Sequence, residues 1–126
     1  MTTAIAPNFV FLYVANPQAS AQFYAQLLGR QPVEISPTFA MFALPNRLML
    51  GLWVRDGVQP PPSAQPGAVE LGVPVADEAA VRALYAEWQA LGLTLLQAPT
   101  SMDFGWTFTA ADPDGHRLRV FASHAM

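Results

Sequence analysis

Residues 12–29 read LYVANPQASAQFYAQLLG, and this stretch predicts where the chain changes from a strand to a helix. The aromatic and β-branched residues of 8–14 are typical of a strand. The strand stops before Asn16, whose side chain can cap a helix that has Pro17 in its first turn. Gly29 offers the left-handed conformation in which many helices end. We therefore expect a strand followed by a helix that ends at this glycine.

The predicted helix has one apolar stripe, because Ala19, Phe23 and Leu27 are each four residues apart. Tyr24 and Leu28 flank the stripe, so this side of the helix is expected to pack on a sheet. Three short strands separated by proline-containing turns are predicted next, at residues 33–36, 39–44 and 48–54. Module one, residues 8–54, therefore has the order β-α-β-β-β.

A proline-rich linker separates this module from a second one. Residues 55–67 contain three consecutive prolines and a Pro-Gly pair, and proline restricts φ and lacks a backbone donor. The same order returns in module two, residues 68–122, where Asp77 can cap the helix. Its strands are expected at residues 69–75, 94–97, 106–111 and 117–121. One βαβββ unit leaves a sheet face uncovered, so we expect a single α+β domain, residues 1–126, whose two modules form a curled mixed sheet around a concave cleft.

The composition excludes several classes of protein. The 126 residues contain no cysteine and no lysine, which excludes disulfides, thiolate metal sites, cysteine nucleophiles and lysine Schiff bases. The arginines form no basic tract and the net charge is −3, so nucleic acid is not an expected partner. No apolar stretch approaches the roughly 20 residues of a membrane span, and the N-terminus lacks a signal-peptide pattern. We expect a cytoplasmic protein with no membrane partner, and its 52% hydrophobic content suggests surface kept for a second subunit or a ligand.

These features resemble the vicinal oxygen chelate superfamily, which contains glyoxalases, extradiol dioxygenases, and fosfomycin and bleomycin resistance proteins. The resemblance rests on residues 12–29, on the duplicated βαβββ order, and on the turn DPDGHRLRVF at 112–121. Within the superfamily the chain is most similar to the phenazine antibiotic resistance branch, whose members bind an aromatic drug without altering it. This narrower similarity rests on NFVFLYV (8–14), SPTFAMF (36–42), LGLWVRD (50–56) and FGWTF (104–108).

The resemblance also assigns the positions at which relatives hold a divalent metal, namely Phe9, Glu70 and Arg119. Only Glu70 offers a metal-binding atom, and Arg119 adds a positive charge. His116 and His124 form no cluster with the spacing of a metal site. We therefore expect no metal, no other cofactor and no catalytic residue.

Glu70 and Arg119 should lie side by side, because the first and last strands of each module are neighbours in this superfamily. We expect them to form a buried ion pair that replaces the metal as the polar anchor of the cleft. Either side chain could also bind a polar group of a ligand.

Aromatic residues on the predicted strands are either core residues or the walls of a binding slot. Trp53 shares a strand face with Gly51 and Met49, and Gly51 would leave room above the sheet. We expect a planar ligand to stack on Trp53 at this point. The full set of candidate ligand-binding residues is Trp53, Trp106, Phe42, Phe9, Phe11, Phe104, Glu70 and Arg119.

Four functions remain open on these residues. The leading hypothesis is a metal-free homodimer that sequesters a planar aromatic antibiotic or secondary metabolite in clefts where two chains meet. The first alternative is a glyoxalase or dioxygenase with a divalent metal, and the second is a metal-free lyase or isomerase with Glu70 as general base. The third is a structural interaction module that binds no small molecule.

Overall fold

The computed structural model describes residues 3–124, and the chain divides into two compact units after Ser63. Each unit contains one α-helix and one four-stranded sheet with both parallel and antiparallel strand pairs. The division falls inside the proline-rich stretch that separates the two predicted modules. Neither helix in the described part of the chain is long and apolar enough to cross a membrane.

The first unit has the predicted βαβββ order. Its elements are β1 (Phe9–Val14), α1 (Pro17–Leu28), β2 (Glu34–Ile35), β3 (Phe39–Ala43) and β4 (Met49–Val54). The strand order is β1-β4-β3-β2, in which β1 runs parallel to β4 and the other pairs are antiparallel. A short 3-10 turn at Arg55–Gly57 follows β4.

The second unit repeats this topology. Its elements are β5 (Glu70–Pro74), α2 (Glu78–Ala90), β6 (Thr94–Met102), β7 (Gly105–Ala111) and β8 (Arg117–Ser123). The strand order is β5-β8-β7-β6, and β5 runs parallel to β8. In both units the first and last strands are therefore neighbours, which confirms the arrangement that the resemblance to the superfamily implied.

Both helices begin at the predicted capping residues. The side-chain oxygen of Asn16 accepts hydrogen bonds from the backbone N–H groups of Gln18 and Ala19, at 3.1 and 3.2 Å. The side chain of Asp77 accepts from the third residue after it at 2.9 Å. Gly29 ends α1 with φ +66°, a conformation that costs glycine little. These local signals explain why the helices start and stop where the sequence predicts.

In each unit the helix covers one face of the sheet, and alternate strand residues form the core beneath it. The buried sheet residues on this face of the first unit are Leu12, Val14, Ala40, Phe42, Leu50 and Leu52. In the second unit the rings of Tyr85 and Trp88 on α2 both meet Phe108 edge to face, with centroids 5.3 Å apart. Burying each large apolar side chain contributes about 1.5–3 kcal/mol.

The buried side of α1 differs from the predicted stripe. Ser20, Ala21 and Tyr24 are the helix residues that are buried along with Pro17, whereas Ala19 is exposed. Small side chains allow the helix backbone to approach the sheet closely, so the contact line passes through Ser20 and Ala21 and leaves the larger Phe23 at its flank.

Two predicted ligand-binding residues lie in these helix-covered layers. Phe42 is 0% exposed within the core of the first unit. It follows Phe39 by three residues, so strand alternation places the two rings on opposite faces. Trp106 lies on the same face as Phe108, and the guanidinium carbon of Arg82 on α2 is 5.0 Å from its ring centre. Phe42 is therefore a core residue, which corrects its place among the candidate ligand-binding residues, whereas Trp106 is half-buried on the helix-covered face.

Strand β6 is longer than the sequence predicts, because it continues past residue 97 to Met102 and contains Pro99. The strand lies at the edge of its sheet, where proline's missing N–H does not interrupt a strand ladder. Two register shifts along β6, around Gln97, further relax its pairing with β7.

Candidate functional site

On strands β1, β4 and β3, the sheet face of the first unit opposite α1 is made of aromatic and other apolar side chains. Strand alternation and register bring Phe9, Phe11 and Tyr13 of β1 beside their partners on β4, which in turn pairs with β3. We call this surface the aromatic face, and its members are Phe9, Phe11, Tyr13, Phe39, Met41, Met49, Gly51 and Trp53. Three of the predicted ligand-binding residues, Phe9, Phe11 and Trp53, are thus together on one surface.

Phe11 lies at the centre of the ring contacts on the aromatic face. Its ring stacks on Phe9 with centroids 5.8 Å apart and an angle of 17°. It also meets Phe39 and Trp53, both at 6.4 Å. The Tyr13 ring meets the Trp53 ring edge to face, with centroids 6.3 Å apart. Each such pair contributes about 0.5–1.5 kcal/mol beyond area burial, so the rings hold one another in place.

The aromatic face remains partly open to solvent in the chain. Phe9 is 47% exposed and Phe11 is 46% exposed, while Trp53 is half-buried. Removing large apolar rings from water is favourable and lowers the free energy. A contiguous exposed surface of this kind is typical of a site that binds a ligand or another subunit.

Gly51 does not leave an empty space above the sheet, which corrects a second expectation. A Cβ atom built on Gly51 would lie 2.7 Å from Cδ1 of Phe11 and 3.1 Å from Cζ of Phe39. The absence of a side chain therefore allows the Phe11 ring to lie directly on β4. The surface offered to a guest is formed by the rings themselves, which are inclined by 42° between Phe11 and Phe39 and by 66° between Phe11 and Trp53, and not by a gap between them.

The corresponding face of the second unit, opposite α2, is polar. Arg119 Nε and Nη2 donate to the two carboxylate oxygens of Glu70, at 2.8 and 3.0 Å. Arg119 Nη1 donates to Gln97 Oε1 and to Thr107 Oγ1, both at 3.2 Å. The predicted meeting of Glu70 and Arg119 is confirmed, in the two-point geometry that guanidinium and carboxylate groups favour.

Two threonines complete this polar network, which we define as Glu70, Gln97, Thr107, Thr109 and Arg119. Thr109 Oγ1 donates to Gln97 Oε1 at 3.1 Å. Thr107 Oγ1 donates to the backbone oxygen of Val120 at 2.8 Å, so it accepts from Arg119 while its own proton is engaged. The alternation of Thr107 and Thr109 with the buried Phe108 is the sequence signal that could have found them. Gln97 carries no such signal, because it lies between two register shifts.

The electrostatics of the pair follow from its contacts. Hydrogen bonding to Arg119 lowers the pKa of Glu70, partial burial opposes that change, and the charges of Arg119 and Arg117 support it. The nearest Arg117 nitrogen is 3.8 Å from the Glu70 carboxylate. The hydrogen bond to Glu70 raises the pKa of Arg119 in turn. Both partners are therefore charged at neutral pH.

The ion pair is less buried than the sequence suggested. The side chains of Arg119 and Glu70 are 22% and 34% exposed. Water therefore screens part of their attraction, and removal of one partner leaves a charge that solvent can reach. The energetic cost of breaking this pair is smaller than that of breaking a fully buried one.

The residues at the superfamily's metal positions do not fit a divalent cation. Both oxygens of Glu70 are held by Arg119, whose positive charge opposes a cation at the same carboxylate. Phe9 offers no donor atom. Within residues 3–124, no three His, Asp or Glu side chains are grouped in a way that could hold a metal ion.

Phe104, the last of the candidate ligand-binding residues, and His116 lie in connections between strands of the second unit. Phe104 is in the turn between β6 and β7, is 45% exposed, and meets the ring of Phe121 edge to face at 6.5 Å. His116 belongs to a tight turn in which the Asp112 side chain accepts from the backbone N–H groups of Asp114 and His116, both at 2.9 Å. The DPDGH stretch therefore has a clear structural role in the connection between β7 and β8.

Comparison with known proteins agrees with the duplicated fold. The sequence profile of the glyoxalase/bleomycin resistance protein/dioxygenase superfamily matches residues 6–120. The chain is 29% identical over 119 residues to the phenazine antibiotic resistance protein EhpR of Enterobacter agglomerans, and the aligned part covers 92% of this chain and 91% of that protein.

Solved structures show the same similarity. The solution NMR structure of protein ATC0852 from Agrobacterium tumefaciens is 52% identical with a TM-score of 0.89, covering 97% of this chain and 100% of that one. A glyoxalase-related enzyme from Fulvimarina pelagi is 26% identical with a TM-score of 0.78, covering 94% of this chain and 88% of that one. With a family match over nearly the whole chain and two units of βαβββ topology, the chain belongs to the glyoxalase/bleomycin resistance protein/dioxygenase superfamily.

Proposed function

We propose that this protein binds a planar aromatic small molecule, such as an aromatic antibiotic or a related secondary metabolite, and sequesters it without chemical change and without a metal. The observation that carries the proposal is the aromatic face, where Phe9, Phe11 and Trp53 present partly exposed rings on one sheet surface. The 29% identity to a phenazine antibiotic resistance protein supports the same class of ligand.

The physical basis of the proposed binding is stacking. A planar apolar guest loses few hydrogen bonds when it leaves water, so ring contact and area burial supply most of its affinity. Trp53 offers the largest ring on the aromatic face, at the end of β4 beside the 3-10 turn. Phe11 and Phe9 extend the surface along β1, and their exposed areas are available to be covered by the guest. Because the Trp53 and Phe11 rings are inclined by 66°, a planar guest that stacks on Trp53 is expected to contact Phe11 edge to face.

The polar network serves the proposed function as a structural anchor in place of a metal. Arg119 is held by three side chains, which fixes the centre of the β5-β8-β7 surface. Arg119 and Glu70 retain partial exposure, so either can also contact a polar substituent of a bound molecule. Contact with a polar substituent is thus a second proposed role for Arg119 and Glu70. Mutation of either residue separates this role from stacking on the aromatic face.

We further propose that the protein acts as a homodimer. The chain is 52% hydrophobic and keeps Phe9 and Phe11 nearly half exposed. A second copy that covers the outer part of the aromatic face would turn an open surface into a cleft and reduce this exposure. Light scattering at micromolar concentration tests the assembly, and a monomer mass would contradict it.

Native mass spectrometry of freshly purified protein tests the function as a whole. After incubation with phenazine, we expect phenazine to be bound to the protein and to be recovered with unchanged mass. We expect the protein to carry no stoichiometric metal. A stoichiometric metal would instead favour a glyoxalase- or dioxygenase-type enzyme. A recovered molecule of altered mass would favour a metal-free lyase or isomerase with Glu70 as general base. Absence of any bound molecule across a broad panel of planar compounds would favour an interaction module.

A further inference from the structure

Met102 is attached to the polar network through a single amide. Its sulfur accepts a hydrogen bond from Gln97 Nε2 at 3.6 Å, and the residue is 41% exposed at the end of β6. The oxygen of the same amide accepts from Arg119 Nη1 at 3.2 Å and from Thr109 Oγ1 at 3.1 Å. Gln97 therefore connects an exposed thioether to the guanidinium group that holds Glu70.

The orientation of the Gln97 amide is fixed by chemistry. Arginine has only donor groups, so the atom that faces Arg119 must be the amide oxygen. The amide nitrogen then faces Met102, and a reversed amide would place two sets of donors against each other. The weakest contact of this amide is the one with the sulfur, because a thioether is a poor hydrogen-bond acceptor.

We propose that Met102 is an oxidation site whose state is transmitted through Gln97 to Arg119. The chain has no cysteine, so its methionines are the sulfur atoms that can react with a peroxide. The sulfur lone pair attacks one oxygen of hydrogen peroxide, an S–O bond forms and the O–O bond breaks. The other oxygen leaves as water with both protons. Sulfur loses two electrons and the peroxide gains them.

Oxidation changes the contact that Met102 makes with Gln97. The thioether becomes a sulfoxide, whose oxygen is a stronger acceptor than the sulfur, and we expect the Gln97 amide nitrogen that now contacts the sulfur to donate to this oxygen. The amide nitrogen of Gln97 is then held more firmly, and its oxygen remains directed at Arg119 and Thr109. Hydrogen bonds in a connected chain strengthen one another, so the change is expected to reach the Arg119 guanidinium.

The first test measures site selectivity by peptide mapping during treatment with dilute hydrogen peroxide. Met41 and Met49 are the matched controls, since both lie on the aromatic face and are less exposed than Met102. We expect Met102 sulfoxide to form at least about threefold faster than sulfoxide at either control. Equal or faster oxidation of Met41 or Met49 would overturn the assignment of Met102 as the oxidation site.

The second test measures transmission by the NMR signal of the Arg119 Nε–H group. We expect peroxide treatment to shift this signal in the wild-type protein and in Met49→Leu, and not in Met102→Leu or Gln97→Leu. The backbone amide spectrum shows whether each variant is folded, and Thr109→Val offers a second change in the network that keeps the Met102–Gln97 contact. An unshifted Arg119 signal in oxidised wild type, or a shift that persists in Gln97→Leu, would overturn the coupling.

Discussion

The ring of Phe11 lies against Gly51, its partner on the neighbouring parallel strand, and occupies the space that a side chain at Gly51 would need. The pair determines the shape of the aromatic face, because a glycine on β4 permits a ring from β1 to approach the β4 backbone closely. A planar guest would therefore meet a surface of rings that is already assembled, which reduces the ordering cost of binding.

Gly51→Ala tests this close approach. The new Cβ would lie 2.7 Å from Phe11, so the ring must move away, and we expect a loss of about 1–2 kcal/mol of unfolding free energy. Gly72→Ala is the matched control, since its Cβ would lie 3.3 Å from Phe121 and requires a smaller adjustment. Urea unfolding measures both variants. An unchanged unfolding free energy for Gly51→Ala would show that the Phe11 ring does not depend on this glycine.

A double-mutant cycle on Glu70 and Arg119 measures the interaction free energy of the ion pair. We expect Arg119→Ala to cost about 1–2 kcal/mol, more than Glu70→Ala, because Arg119 donates to three side chains. The coupling between the two substitutions should be about 0.5–1 kcal/mol, as expected for a partly exposed two-point pair. Additive effects of the two changes would indicate that the residues do not interact in solution.

The same pair predicts how stability depends on pH. The pKa of Glu70 is lower in the folded protein than in the unfolded chain. At a pH between the two values, the carboxylate is therefore ionised in the folded protein and protonated in the unfolded chain. This contribution is fully present above the unfolded pKa and is lost as the pH falls through the lower, folded pKa.

Glu70→Gln should therefore narrow the difference in unfolding free energy between pH 7 and pH 3 relative to the wild type. Denaturant titrations at both pH values measure it, and Glu87→Gln is a control at an exposed position on α2. Identical pH dependence in Glu70→Gln and wild type would contradict the lowered pKa.

Removal of metal should leave ligand binding unchanged. Both Glu70 oxygens are occupied by Arg119 and Phe9 has no donor, so the proposed stacking requires no cation. Equilibrium dialysis with phenazine, before and after treatment with a chelator, should give the same dissociation constant within about twofold. A loss of binding that added Zn²⁺ or Mn²⁺ restores would refute the metal-free proposal.

Local sequence signals predicted much of the fold. Asn16 and Asp77 begin the helices, Gly29 ends the first one, and the pairing of first and last strands brings Glu70 to Arg119. The helix limits depend on neighbouring residues and could be predicted from them, whereas the pairing of first and last strands was expected from the resemblance to the superfamily.

The faces of the individual strands were harder to predict. Strand β3 carries Phe39 on one face and Phe42 on the other, so its composition alone does not show which ring is in the core. Gln97 enters the polar network through the irregular pairing of β6, which continues past Pro99. Strand β6 tolerates this proline only because it lies at a sheet edge, and its position in the sheet is set by tertiary packing.

The most direct test of the central claim is calorimetric titration of phenazine into wild type, Trp53→Ala and Trp106→Phe. Trp53 lies on the aromatic face, whereas Trp106 lies on the α2 side of the second unit beside Arg82. Loss of the Trp53 ring should weaken binding about tenfold or more, and Trp106→Phe should retain the wild-type affinity within about twofold. A folded Trp53→Ala variant with unchanged affinity, or an equal loss in Trp106→Phe, would contradict ligand stacking on the aromatic face.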